Sequence, residues 1–386
     1  MALAPPFEPI QDDFVEHRTH ELLGSVPGHI SQLHSFHYGP QDSERSVYIQ
    51  ASLHADELPG MLVAFKLKQH MAELEAAGLL HARVCIVPIA NPIGLTQQLM
   101  DVPLGRYELE TLKNFNRHYA DMTDAIADNL ESALGEGEGD NTRIIRDRFL
   151  AALENKSPAN ALESLQLTLQ RLACQADYVL DLHCDFNAVA HLYTTPAAWP
   201  TFEPLARYFG AHASMLATDS GGQSFDECFT LAWEQLRERF GTRFPIAYGT
   251  QSITLELRGQ DDVDHELADH DSRAIVDWMT HLGMVHGEAP TLPPLPFPPT
   301  PLAAMEFLVA PHGGLLVFHA HPGDQVVCGQ LVAEIIDPIE DSVHEVRATQ
   351  DGMIYARSQR RMATAGMIVA DLAGHESRRS GYLLAP

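Results

Sequence analysis

Ser52-Leu53-His54-Ala55-Asp56-Glu57-Leu58-Pro59-Gly60 follows an alternating apolar run, Val47-Tyr48-Ile49-Gln50-Ala51, that reads as a β-strand. From about Pro59 a helical pattern takes over, carrying Leu62, Phe65, Met71 and Leu74 on roughly one side and stopping near Gly78. His54 and Glu57 therefore fall in a strand-to-helix turn, a place where a rigid scaffold displays ligands. An imidazole and a carboxylate three residues apart can face one ion, and that pairing of nitrogen and oxygen suits zinc. A lone His-x-x-Glu also occurs by chance in many helices, so the motif needs company.

Working outward, Arg83-Val-Cys-Ile-Val-Pro-Ile-Ala90 reads as a second buried strand closed by the turn Asn91-Pro92-Ile93-Gly94. Strand, helix, strand predicts a βαβ unit and a parallel sheet with helices on both faces. The loop-like stretch from Gln97 to Tyr119 carries Arg106, Asn114, Asn116 and Arg117, and residues 120–176 read as mostly helical around an exposed loop at Gly135-Glu-Gly-Glu-Gly139. Ala161 to Ala173 is an amphipathic helix. The next strand, Tyr178-Val-Leu-Asp-Leu-His-Cys-Asp185, places Asp181, His183 and Asp185 on one side by its period of two. Ligands of parallel sheets bind at such strand ends. A structural histidine is the plainer reading of His183, although two neighbouring carboxylates are costly to bury without a purpose. Ser252-Ile-Thr-Leu-Glu-Leu-Arg258 puts Thr254, Glu256 and Arg258 on one face, which by composition alone reads as an edge strand with a solvated side. Residues 1–44 are polar and His-rich with little periodicity.

With 386 residues the chain is long for one core, and two domains is the prior. The formal charge of −27 argues against a nucleic-acid or anionic-membrane surface and accords with solubility. No apolar run approaches a membrane span, and the opening Met1-Ala-Leu-Ala-Pro-Pro-Phe lacks the features of a secretory leader. Five scattered cysteines, Cys85, Cys174, Cys184, Cys228 and Cys328, contain no Cys-x-x-Cys pair and suggest reduced thiols of a cytoplasmic protein. Seven prolines between Pro290 and Pro301 mark a semi-rigid linker. Beyond it lies a half-repeat: Gly329-Gln-Leu-Val-Ala-Glu-Ile335 echoes Gly366-Met-Ile-Val-Ala-Asp-Leu372, and Ala310 to Leu316 echoes Ala348 to Ile354. The expected divisions are residues 1–289, a linker over 290–302, and a small all-β unit over 303–386.

Together these stretches resemble the zinc carboxypeptidase superfamily, and within it the succinylglutamate desuccinylase/aspartoacylase branch. His54-Ala-Asp-Glu57, Pro88 to Gly94, Asn116-Arg117, Asp181-Leu-His183 and Thr254-Leu-Glu-Leu-Arg258 follow the family's order. Ala55 replaces a frequent glycine, and the helical stretch 120–176 lengthens the gap between Glu57 and His183. The resemblance implies an α/β fold with a mostly parallel or mixed sheet, and a zinc ion held by His54, Glu57 and His183. Glu256 is then the general base and Arg106 the oxyanion partner, while Asn116 and Arg117 grip a substrate carboxylate and Asp181 orients a ligand imidazole. Tyr193, Arg243 and Tyr248 lie near these motifs in sequence and are candidates to line the pocket. The implied activity is hydrolysis of a small N-acyl amino acid or related amide. A metallocarboxypeptidase acting on short peptides and a non-catalytic binding protein are the alternatives.

Residues 303–374 resemble a biotinyl/lipoyl-type barrel-sandwich module, yet no lysine follows Lys156, so the acceptor for such a cofactor is missing. A cap, a substrate gate or a contact within a homo-oligomer are the roles left to it.

Overall fold

The computed structural model describes residues 15–24 and 26–384, so the opening stretch 1–7 lies outside it. A nine-stranded mixed sheet forms the centre, in the order Glu16–Glu21, Gln32–Tyr38, Arg83–Val87, Ser46–Ala51, Tyr178–Asp185, Gln251–Gly259, His191–Thr194, Ala213–Leu216 and Thr300–Pro301. The four strands from Arg83–Val87 to Gln251–Gly259 run parallel to one another, and antiparallel pairings flank them. Helices cover both faces. Pro59–Ala76, Trp199–Phe209 and His265–His281 enclose one core with Val47, Ile49, Leu180, Leu182, Ile253, Leu255 and Leu257. Thr123–Leu130, Glu138–Glu154, Ala161–Ala173 and Phe225–Phe240 enclose the other. This is the zinc-carboxypeptidase-like arrangement.

Two expectations need correction. Gln251–Gly259 is an interior strand, hydrogen-bonded to Tyr178–Asp185 on one side and His191–Thr194 on the other, so its polar face looks into the molecule. Period two also fails at its end. Arg258 has φ of 68° and the register shifts between Glu256 and Gly259. That irregularity turns Arg258 away from the Thr254–Glu256 face and into an ion pair with Asp271 of the helix His265–His281.

The proline-rich stretch is docked along its course. Its carbonyls accept hydrogen bonds from Tyr208 Oη at Pro290 (2.7 Å) and from Arg207 Nε at Pro293 (2.6 Å), while Leu292 and Leu295 pack on the core. Proline cannot donate to a ladder, so Thr300–Pro301 joins the sheet only at its outer edge. After it come two antiparallel sheets around a separate apolar core. One holds Met305–Val309, Ile368–Gly374, Gly352–Arg357 and Gln325–Val326; the other holds Ser342–Arg347, Leu331–Asp337, Gly314–Phe318 and Met362–Ala363. The half-repeat is visible in them: Gly329 and Gly366 precede equivalent strands with φ of 82° and 83°, a conformation that favours glycine in both turns.

The C-terminal sheets are sewn to the segment that follows Tyr178–Asp185. Asn187–Ala188 pairs with Ala356 and Arg357, and Val189 N donates to Tyr355 O at 2.9 Å. Arg357 Nε also reaches Asn187 Oδ1 at 2.7 Å.

Candidate active site

The turn read first from the sequence is held from several directions. Ser52 takes φ of 63° directly after the strand, which redirects the chain. Glu57 N then donates to His54 O (3.0 Å), and Ala55 N to Gly105 O (3.0 Å). Asn91, in the Asn-Pro-Ile-Gly turn, donates from Nδ2 to Leu53 O at 2.9 Å and accepts from Gly94 N at 2.8 Å. That turn therefore braces the His-x-x-Glu segment. Pro59 at the first helical position needs no intrahelical donor, so the helix starts cleanly behind Glu57.

His54, Glu57 and His183 converge, with one potential ligand atom from each lying within 4.8 Å of the others, and all three are buried. His54 Nδ1 is 2.8 Å from Glu57 Oε1, and His183 Nδ1 is 2.7 Å from Glu57 Oε2. The far nitrogen of each ring meets an oxygen: His54 Nε2 lies 2.9 Å from Asn114 Oδ1, and His183 Nε2 lies 3.0 Å from Asp181 Oδ2. Asp181 accepts from Gln50 Nε2 at 3.0 Å, and Gln50 from Tyr48 Oη at 2.9 Å. Both imidazoles thus turn Nδ1 toward Glu57; His54 Nε2 has an outer hydrogen-bond partner in Asn114, while Asp181 Oδ2 stands beside His183 Nε2 as a charge without the alignment of a hydrogen bond. Burial drives the His54 imidazole down to about 4. At His183 burial acts in the same direction, but Asp181 and Glu57 outweigh it and hold the ring well above its usual value. Burial would raise Glu57, yet the two imidazoles keep it well below the carboxylate range.

A cavity of about 670 Å³ opens over this cluster. Glu256 lines it from the strand beside His183, with Oε2 buried and without a hydrogen-bond partner; burial and the nearby Glu57 push its carboxyl well up. Arg106 Nη1 approaches Glu57 Oε1 at 3.3 Å. Asn116 Oδ1 accepts from Phe225 N at 2.8 Å, and its Nδ2 faces His183 Nε2 at 3.5 Å. Arg117 lines the same cavity and lies against Gly222, where a Cβ would come within 2.9 Å of Arg117 Cδ. Tyr193 is there too, its hydroxyl 3.5 Å from that of Tyr355.

Arg243 and Tyr248 stand elsewhere. Arg243 is about half exposed and pairs with Glu131, while Tyr248 lies under the Arg237 guanidinium, 4.0 Å from ring centroid to carbon. Neither lines the cavity. Nearness in sequence to the Glu256 strand does not place them, because both precede that strand at its far end. Sequence reasoning passed over Asn114 as the partner of His54 and Gln50 as the donor to Asp181. It also passed over Phe307, Tyr355 and Asp371 of the C-terminal sheets, which line the cavity. An aspartate within Ile368-Val-Ala-Asp-Leu-Ala373 was the available signal.

Residues 43–282 match the succinylglutamate desuccinylase/aspartoacylase catalytic domain. The chain belongs to this family. Family membership carries hydrolytic deacylase chemistry, and the His54–Glu57–His183 group is one that could bind a metal. Among solved structures, a protein of this family from Shewanella amazonensis is 23% identical, with a TM-score of 0.81 over 93% of this chain and 98% of its own. A counterpart from Shewanella frigidimarina is 22% identical, with a TM-score of 0.81 over 94% and 97%. The product-bound ectoine utilization protein EutE (DoeB) of Ruegeria pomeroyi is 17% identical, with a TM-score of 0.65 over 96% and 97%. At these identities the likeness speaks for the fold. No curated protein matches. No helix among the described residues is long and apolar enough to cross a membrane.

Proposed function

We propose that this chain is a zinc-dependent amidohydrolase that removes the acyl group from a small N-acyl amino acid or related N-acyl compound. The observation that carries the reading is the convergence of two imidazole Nδ1 atoms and Glu57 beneath one cavity, each imidazole backed by an outer oxygen. Two nitrogens and one carboxylate are a donor set of catalytic zinc, with a coordination position left for water or substrate. When bound, zinc supplies Lewis-acid polarisation of the carbonyl and acidifies water.

The protein groups do the rest. Glu256, buried beside the ligands, takes a proton from the attacking water as the new C–O bond forms. It delivers that proton to the departing nitrogen as the C–N bond breaks, giving a carboxylic acid and an amine. Arg106 faces the oxygen that gains negative charge. Arg117, steered by Asn116, grips a carboxylate next to the scissile amide, a geometry that suits a planar guanidinium. Asp181 fixes the His183 ring. Tyr193 borders the acyl or side-chain space. We assign residues 1–289 to the hydrolase unit, 290–302 to its connection and 303–386 to a barrel-sandwich-type β unit that roofs the cavity. That roof favours a compact amide over a peptide C-terminus. The five unpaired cysteines suit a reducing cytoplasm.

Elemental analysis together with a panel of N-acyl amino acids and short peptides tests the proposal. About one zinc per chain and selective turnover of N-acyl amino acids are expected, with metal largely lost in His183→Ala. Full metal retention by that variant removes His183 from the ligand set, and preference for peptides overturns the substrate class.

A further inference from the structure

We infer that the cavity wall built by the C-terminal strands is a subsite for an organic cation, an ammonium group carried by the substrate, with Asp371 as its counter-charge. The inference rests on the deacylase reading above and narrows which N-acyl compounds fit. Asp371 lies mid-strand, opposite Phe307 on one neighbour and Ala356 on the other, and faces the cavity. Its Oδ1 is closed off from solvent and has no hydrogen-bond partner. Among the described residues no Lys, Arg or His nitrogen forms an ion pair with it; the positive group whose field it feels is Arg379. That guanidinium is committed to the Phe307 ring, 4.4 Å from its centroid, and to Met305 Sδ at 3.4 Å. A carboxyl oxygen enclosed without a partner is costly, and a cation seated against the partly exposed Asp371 side chain offsets that cost.

The surroundings are matched to the same occupant. The register between Gly352–Arg357 and Ile368–Gly374 shifts between Ile354 and Ala356, so Tyr355 is the extra residue of a bulge. Bulges re-aim side chains, and here the phenol meets that of Tyr193 at the cavity. Asp185, also lining the cavity, sends its field to Asp371, Tyr193 and Tyr355 alike. Two carboxylates attract an ammonium by charge, and the two phenol oxygens are further acceptors for it. With Arg117 gripping a carboxylate in the same cavity, the favoured substrate is zwitterionic.

Two matched pairs tell on which side of the amide the ammonium sits. Nα-acetylornithine against Nα-acetylnorvaline places it on the amine side; β-alanylnorvaline against propionylnorvaline places it on the acyl side. The readout is the ratio of kcat/KM, cationic to neutral, for zinc-loaded wild type and Asp371→Asn. Wild type should favour the cationic member of one pair by about tenfold or more, as expected for a charge-assisted contact, and the variant should lose most of that ratio. Tyr355→Phe should lose a smaller part, and it serves as the second probe if the first variant fails to fold. Ornithine binding, followed by calorimetry, is read separately from turnover. If no compound is hydrolysed but ornithine binds wild type and not Asp371→Asn, the subsite stands and the deacylase reading falls. If all four compounds are hydrolysed with ratios unchanged by either variant, the subsite is overturned and the deacylase reading stands.

Discussion

Gly105 offers a sharp test of how tightly the turn from His54 to Glu57 is braced. Its carbonyl accepts from Ala55 N at 3.0 Å, and Arg106 follows it directly. A Cβ built there would lie 2.3 Å from Asp56 N and 2.6 Å from Ala55 C, whereas real contacts stop at about 3.0 Å. Gly105→Ala therefore demands a separation of about 0.7 Å between two backbone segments, and backbone cannot swing aside as a side chain does. Overpacking of this kind costs about 1–3 kcal/mol, with a further ~1 kcal/mol if the Ala55 hydrogen bond is lost. The displaced residues, Ala55 and Asp56, lie between His54 and Glu57, so the error enters the ligand geometry itself. Displacements near 1 Å cost on the order of 100-fold in turnover. Chelator competition, thermal melting and kcat/KM on the best N-acyl substrate are the assays. Gly139→Ala is the control: nothing lies within 4 Å of a Cβ there, and the position is helical. It should be neutral or stabilising by up to about 1 kcal/mol. A Gly105→Ala protein with wild-type metal affinity and turnover would refute the bracing argument.

Glu256→Gln should keep its metal and lose turnover by at least about 100-fold, because the amide retains the shape without accepting the proton; wild-type rates after chelator-controlled purification would dismiss the general-base role. Glu227 gives a pH test. Burial, reinforced by Asp226, pushes its carboxyl up from 4.5 to about 7. The folded state therefore binds the extra proton between those values, so this group's contribution favours folding most at low pH and is lost as pH rises through the window. Glu227→Gln should flatten that slope and be the more stable protein at pH 8 by about 1–2 kcal/mol, since glutamine keeps an acceptor for Ser220 N without ever carrying the charge. Parallel melting curves from pH 5 to 8 for the two proteins would contradict it.

What was legible in the chain was legible for physical reasons. Asp181 and His183 interrupt an apolar strand and were conspicuous for that reason, whereas His54, Glu57 and Glu256 stood out only through the ordered motifs of the family resemblance. The strands Glu16–Glu21 and Gln32–Tyr38 were opaque because they form a sheet edge held by polar cross-strand contacts. His17 Nε2 meets His34 Nδ1 at 3.0 Å, and His20 Nε2 lies 2.8 Å from Ser35 Oγ. No apolar alternation announces such a hairpin. Arg258 was misplaced because strand periodicity holds only while the register does, and the register breaks after Glu256.

The C-terminal strands expose a deeper limit. Tyr355 and Asp371 follow His183 by well over 150 residues in the chain, yet they share its cavity. What joins them is the short pairing of Asn187–Ala188 with Ala356 and Arg357, immediately after the strand that carries His183. Neither partner of that pairing has a pattern that selects the other. The bulge that aims Tyr355 exists only once its strand has paired with Ile368–Gly374. The His54–Glu57–His183 cluster can thus be traced to short motifs in order along the chain, while the wall facing it is a product of docking. Substrate choice at this site therefore depends on the C-terminal sheets holding their position as well as on the motifs of the hydrolase sheet. Loosening the Arg357–Asn187 contact should raise KM for the substrate more than it lowers metal content, since the ligands do not depend on that seam. Asn187→Ala, which leaves the cavity-lining Arg357 in place, measured for both quantities, separates the two: metal loss in step with substrate affinity would mean that the seam supports the His54–Glu57–His183 cluster as well.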